Sequence, residues 1–282
     1  MLFHERPASN TKLLHRHGVD AGALERTVRR LAVPRHMTRN PGNNARVRDD
    51  LATELDRLGF DVHLQGALAN VVALPRDRMQ PLVLVGAHYD SVPDCPGADD
   101  NASGLAVMLA CARIVGPAGP HGFVAFNGEE DGLLGSRDFV ASVNLPIAMM
   151  HVLEMVGFRG TAAQKLPLPW TPPSLERPDY IGVIARGASN HVVDAVRRST
   201  AAGSLRAIGA KTWGPTERLL PDLGRSDHLP FWNAKIPATM WTDTGNFRNP
   251  SYHRRTDTPD TLDYAFMAEV GELLCDVLLR AR

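Results

Sequence analysis

A chain of 282 residues, 44% hydrophobic and 22% charged, can bury one large core and has the composition of a globular enzyme, not of a disordered segment. Lysine plus arginine and aspartate plus glutamate both total 31, a formal net charge of zero, which argues against general nucleic-acid affinity, since that needs a basic face. The three cysteines, Cys95, Cys111 and Cys275, are too few and too scattered for a disulfide framework, and no apolar run approaches a membrane span.

The opening MLFHERPASN has no apolar core of a signal peptide. The expected location is therefore cytoplasmic, although a form stripped of its leader would read the same. Residues 1–22 carry little pattern and are expected to be an arm. Leu24, Val28 and Leu31 share one helical face, as do Val47, Leu51, Leu55 and Leu58, with Gly59 suited to end that helix. Residues 60–65 and 70–74 are expected to be antiparallel strands at a sheet edge. Leu82 to Ala87 is an apolar run, expected as a central buried strand. A helix over 102–115, a strand over 122–127, a short helix over 136–143 and a strand over 147–153 follow. Residues 159–178, with five prolines in KLPLPWTPPSLERP, read as an irregular loop beside the site. A strand over 180–184 and a helix over 190–202 come next, then a second irregular segment over 213–232. A strand over 236–241 and an amphipathic helix over 261–279, with Leu262, Phe266, Val270, Leu273 and Val277 inward, close the chain. Alternating strands and helices predict an α/β single domain, a central, mostly parallel mixed sheet with helices on both faces.

Chemistry-bearing residues cluster where these strands end. His88 ends the 82–87 strand. Asp99 and Asp100 precede the next helix. Glu129 and Glu130 sit in a turn flanked by Gly128 and Gly132, where two adjacent glutamates can share a site despite the alternation of a strand. Glu154 ends the 147–153 strand, and His253 lies in the loop after 236–241. Each is weak alone: an acidic turn or a loop histidine is usually only solvated. Together they occupy the rim where open α/β sheets bind ligands. Two histidines and three carboxylates suit two zinc ions, with one carboxylate bridging and a water between them. The absence of cysteine ligation leaves cobalt or manganese as alternatives.

The motifs GAHYDS, PGADDNASG, NGEEDGLLGS, carboxylate-Met-Val-Gly, SDHLPF and YHRRTDTPDTLDY resemble, in order, those of the cocatalytic zinc aminopeptidases. Glutamate carboxypeptidase II and the glutaminyl cyclases are relatives of that family. The resemblance covers roughly residues 45–282. It implies a zinc exopeptidase-like three-layer sandwich, with His88, Asp100, Glu130, Glu154 and His253 as metal ligands and Asp100 bridging. It implies Glu129 as general base, activating the bridging water, and a peptide bond after Asp100 that is often cis. One position departs from the pattern: that of Glu154 is usually aspartate.

Around this set, Asp90 can accept the second imidazole N–H of His88 and fix its tautomer; Asp257 could do the same for His253. Tyr252, beside a ligand, is either an oxyanion donor or a packing aromatic. Asp99 is expected to be structural, Asp227 and His228 to brace their loop, and Cys95 to be filler. Ser103 lacks a nucleophile elbow and is a helix-start residue. Trp170, Trp213, Phe231 and Trp232 are candidate pocket walls. The expected function is a metal-dependent aminopeptidase acting on peptide N-termini, without nucleic-acid or membrane partners. A single-zinc glutaminyl cyclase is the alternative, but cyclases carry tryptophans where Leu133-Leu134 and Tyr252 stand here. A catalytically dead binding module is a third reading, opposed by retention of every ligand and the base.

Overall fold

The computed structural model describes residues 1–6, 17–77, 80–164, 166–168, 171–199, 201 and 203–280. Nine strands among them form one mixed sheet: β1 (Leu2–Arg6), β2 (Asp61–Gln65), β3 (Asn70–Leu74), β4 (Leu82–His88), β5 (His121–Phe126), β6 (Ile147–Leu153), β7 (Tyr180–Arg186), β8 (Arg206–Thr212) and β9 (Ala238–Thr242). The spatial order is β1-β8-β7-β9-β6-β4-β5-β3-β2. The middle strands β9, β6, β4 and β5 run parallel. The flanks add antiparallel neighbours, β7 on β9 and β3 on β5. β2 and β3 are the expected antiparallel edge pair.

The period of two in the strands sorts their side chains between two cores. On one face, Val83 and Val85 of β4 and Val71 and Ala73 of β3 pack under α1 (Ala21–Leu31), α2 (Pro41–Arg57), α3 (Gly104–Val115), α6 (His191–Arg198) and α8 (Tyr264–Arg280). Their neighbours Leu82, Leu84, Val72 and Leu74 face α4 (Leu134–Ser142) and α7 (His228–Asn233). β4 is buried throughout because helices cover both its faces. A short helix, α5 (Pro173–Glu176), interrupts the proline-rich loop.

Two strands escaped the sequence reading. Residues 2–6 are not an arm but the antiparallel edge strand β1, Phe3 opposite Ala210. Arg206–Thr212 forms β8, where no element was expected. The helix expected over 190–202 stops at Arg198, and the irregular segment over 213–232 runs into α7 from His228.

Candidate metal centre

The site is assembled from the carboxyl ends of β4, β5 and β6 and from two loops. His88 is the last residue of β4 and fully buried. Its Nδ1 lies 3.4 Å from Asp90 Oδ1. The same buried carboxylate accepts the Glu129 and Glu130 backbone N–H groups, 3.2 Å each, on its two oxygens. Asp90 thus joins the end of β4 to the turn after β5. His88 Nε2 points the other way, 3.1 Å from Asp100 Oδ1 and 3.8 Å from Glu154 Oε2.

Asp100 lies in a wide turn, Ala98–Ser103, ahead of α3. Gly97 enters this turn at φ 60°, and a Cβ there would stand 2.3 Å from the Asp100 carbonyl oxygen. The Asp100–Asn101 peptide is cis. Asp257 does not serve His253; its carboxylate accepts the backbone N–H groups of Asp99 (2.9 Å) and Asp100 (3.1 Å). Asn101 donates to the Leu153 carbonyl (2.8 Å) and accepts from Met155 N–H (3.3 Å), tying the turn to the end of β6. Asp99 accepts from Gly157 N–H and the Asn249 amide, a structural role.

The second histidine completes the arrangement. His253 Nε2 is 3.2 Å from Asp100 Oδ2 and 3.1 Å from Glu130 Oε2. Asp100 therefore offers one oxygen to each histidine. Two groups result, His88–Asp100–Glu154 and Asp100–Glu130–His253; Glu129 lies near His88 and Glu130 in a third. Tyr252 stacks on the His253 ring at 3.7 Å between centroids, and its hydroxyl accepts from Arg225 Nη2 (3.1 Å). Asp100, Glu129, Glu130, Glu154, Arg225 and Tyr252 line a cavity of about 230 Å³.

The chemistry of this donor set fits divalent cations. Both ring nitrogens of His88, Asp100 Oδ1 and Glu130 Oε1 are buried without a hydrogen-bond partner, a costly state for polar atoms unless something binds them. Two zinc ligands at about 2.0–2.1 Å in tetrahedral array stand roughly 3.4 Å apart. The 3.1–3.2 Å spacings around Asp100 are close to that.

Electrostatics of the metal-free protein agree. For the Glu129 carboxyl, burial is the largest cause and raises it well above the usual range; His88 opposes this, and Glu154, Asp227 and Glu130 add to it. Burial, then Asp100, pushes Glu130 up to about 7. Burial would raise Asp100, but the His253 and His88 imidazoles beside its two oxygens hold it below the usual range. Burial lowers His253, yet Asp100 and Glu130 outweigh it and carry it up to about 10.

Sequence reasoning missed one contact: Ser226 Oγ donates to Glu154 Oε2 at 2.6 Å. The SDHLPF motif was its signal, read only through Asp227 and His228. His228 does brace its loop, on the Leu223 carbonyl at 2.7 Å; Asp227 is fully buried. Cys95 is buried filler whose Sγ lies 3.0 Å from the Arg254 carbonyl. Two of the four pocket-wall candidates were misassigned. Phe231 and Trp232 belong to the core with Phe126 and Phe139, because α7 turns its aromatic residues toward the sheet. Trp213 is 53% exposed, and Trp170 lies outside the described residues.

A model described as Peptidase family M28 matches residues 70–278. The uncharacterized protein YfbL of Escherichia coli K12 is 34% identical over 238 residues, 77% of this chain and 72% of that one. Aminopeptidase YwaD of Bacillus subtilis is 32% identical over 225 residues, 75% of this chain but only 44% of YwaD. The solved glutaminyl cyclase of Tannerella forsythia superposes with a TM-score of 0.68 at 21% identity, covering 94% of this chain and 99% of that one. At that identity it speaks for the fold alone.

Proposed function

The chain belongs to peptidase family M28, and from that premise we propose that it is a zinc aminopeptidase that releases N-terminal residues from peptides. One observation carries the two-metal form of this reading: the Asp100 carboxylate presents Oδ1 to His88 and Oδ2 to His253. His88, Asp100 and Glu154 would hold one ion, and Asp100, Glu130 and His253 the other. Bound zinc would supply Lewis-acid polarisation of the scissile carbonyl and acidify the attacking water.

The chain's own residues do the rest. Glu129, made more basic by burial, takes a proton from the attacking water and delivers it to the leaving amine. Asp90 holds the Glu129–Glu130 turn and the His88 ring in place. The Tyr252 hydroxyl accepts from Arg225, so its own proton is free to donate toward the developing oxyanion. The acidic surround, Glu130 and Glu154 included, attracts the substrate's free α-amine. Aminopeptidase YwaD supports this end-specificity by its name. The cyclase reading is opposed by Leu133, which lines the cavity where a cyclase carries tryptophan.

The test is a panel of aminoacyl anilides, N-acetylated peptides and glutaminyl peptides, assayed with and without added zinc. Zinc-dependent release from free N-termini, and none from acetylated ones, is expected. Equal release from acetylated peptides would end the aminopeptidase reading. Cyclisation of N-terminal glutamine without chain cleavage would replace it with the cyclase.

A further inference from the structure

The link between α1 and α2, residues 32–40, holds no candidate ligand, yet it is tied to three of the segments that do. Arg35 lies in this link and is fully buried. Its Nε donates to the carbonyl of Tyr89, the neighbour of His88, at 2.7 Å. Nη1 donates to the Val33 and Pro96 carbonyls, and Nη2 to the Gly97 carbonyl at 2.9 Å. The same Gly97 oxygen accepts the Ala102 N–H at 3.1 Å, the bond that closes the turn around Asp100. A Cβ on Gly97 would stand 2.9 Å from Nη1, so the guanidinium rests directly against backbone. The Arg35 main chain adds two ties: its N–H donates to Ser91 Oγ at 3.1 Å, and its carbonyl accepts from the Asn44 amide at 2.9 Å. Asn44 also donates to Asn127 Oδ1 at 2.9 Å, just ahead of the Glu129–Glu130 turn. His36 Nε2 stands 3.3 Å from Asp131 Oδ2, just past that turn.

A fully buried cation is costly unless other groups offset its charge. Each of the four acceptors named for the guanidinium is a carbonyl, none a carboxylate. Burial works against the Arg35 charge, and the carboxylates of Asp90, Asp100 and Asp257 oppose that effect. The cation is thus placed where the acidic centre offsets it. Its planar fork reaches carbonyls of two different segments at once; an ammonium is a point charge and cannot hold the same spread.

We infer that Arg35 is a positioning residue of the metal centre, whose guanidinium holds the turn carrying Asp100 against the strand end carrying His88. It fixes the 3.1 Å approach of Asp100 Oδ1 to His88 Nε2, and with it the place of the shared carboxylate. This rests on the metal-site reading above. The link precedes residue 70, where the family match begins.

The experiment separates positioning from stability with a second buried arginine. Arg6 is 5% exposed and donates to the Ser199, Leu205 and Ala201 carbonyls, but β1 lies five strands from β4 in the sheet. Arg35→Met, Arg35→Lys and Arg6→Met are compared with the parent. Thermal melts give the stability of each, and competition with a chromogenic chelator gives zinc affinity well below the melting temperature. Losing a group behind a metal ligand costs about 10–100-fold in affinity. Arg35→Met should show that loss while still folded, and Arg35→Lys about a tenfold loss. Arg6→Met should melt at a lower temperature yet bind zinc within about twofold of the parent. Arg35→Met binding zinc within about twofold of the parent overturns the assignment, as does an equal loss in Arg6→Met. If Arg35→Met gives no cooperative melt, Arg35→Lys decides by the same criteria; failure of both to fold would make Arg35 a residue of the fold and overturn the assignment. A parent that takes up no zinc would overturn the metal-site reading itself. A parent that binds zinc but cleaves no peptide would end the peptidase reading and leave the assignment of Arg35 standing on the affinities.

Discussion

Asp90 offers the sharpest single test of how the site is held together. Its carboxylate is fully buried and faces three groups: two backbone N–H donors at 3.2 Å and His88 Nδ1 at 3.4 Å. Asp90→Asn keeps the shape and removes the charge. The asparagine oxygen can still accept one N–H, but its NH₂ now opposes another donor. At least one buried donor is left unpaired, at a cost of about 1–3 kcal/mol. The ligand whose support is lost, His88 or the Glu130 turn, binds metal less well, and about 1.4 kcal/mol corresponds to a tenfold change. Zinc affinity should therefore fall by about 10–100-fold, the usual effect of losing a group behind a metal ligand. Competition with a chromogenic chelator measures it directly, and excess zinc should recover part of the activity. Zinc affinity within twofold of the parent would refute the claim that Asp90 organises the centre.

The two glutamates of the turn should separate. Glu129→Gln should keep the metal content and lose activity by about 10²–10⁴-fold, whereas Glu130→Gln should lose metal as well; equal metal content in the two variants would reject that division. Ligands must shed their protons to bind metal. With His253 held up to about 10 and Glu130 to about 7 in the metal-free protein, zinc affinity should rise with pH from 6 to 8, by about tenfold per unit for each proton displaced. Calorimetry in buffers of different ionisation enthalpy counts those protons, and an affinity flat in pH would contradict the expectation. Tyr252→Phe should lower kcat by about tenfold or more with KM little changed if the hydroxyl donates to the oxyanion; an unchanged kcat would make Tyr252 a packing group.

How much of this was legible follows from what each residue's environment writes into sequence. β4, β5 and β6 are covered on both faces and read as apolar runs ending in His88, Asn127 and Glu154. β8 did not. Its centre is Gly209, where a Cβ would stand 2.3 Å from Val193 Cγ1. The close approach of α6 removed the side chain that would have marked the strand. β1 is an edge with Leu2 at 56% and Phe3 at 38% exposure, so no alternation of buried and exposed positions appears. The ligand candidates could be found because chemistry restricts their types and loops bring them to one rim. The supports Asn101, Ser226 and Asp257 act through geometry across 52 to 158 positions of chain, and local sequence does not record such pairings. Phe231 and Trp232 misled for a related reason: they pack in the core with Phe126 and Phe139, and local sequence does not record which way α7 faces.

Glu154 shows how that geometry bears on metal occupancy. Glutamate is longer than aspartate by one methylene, about 1.5 Å. β6 ends at Leu153, and the Glu154 N–H is fixed to the Trp241 carbonyl at 2.9 Å, so the added reach is not absorbed by a frayed strand end. Instead the side chain is caught by Ser226, whose hydroxyl holds Oε2 at 2.6 Å. That same oxygen stands 3.8 Å from His88 Nε2, against roughly 3.4 Å for two ligands of one tetrahedral zinc. The Glu154 corner is thus wider than the His253 corner, at 3.1–3.2 Å, and one of its oxygens is shared with a competing donor. Of the two proposed ions, the one at Glu154 should be held more weakly. Purified protein should keep one zinc through dialysis and lose the other, and added zinc should raise activity. Glu154→Ala should abolish the second equivalent even at saturating zinc, while Ser226→Ala should change only its affinity. Counting metal by elemental analysis decides the matter: a Glu154→Ala protein that still takes up as much zinc as the parent would show that Glu154 was never a ligand.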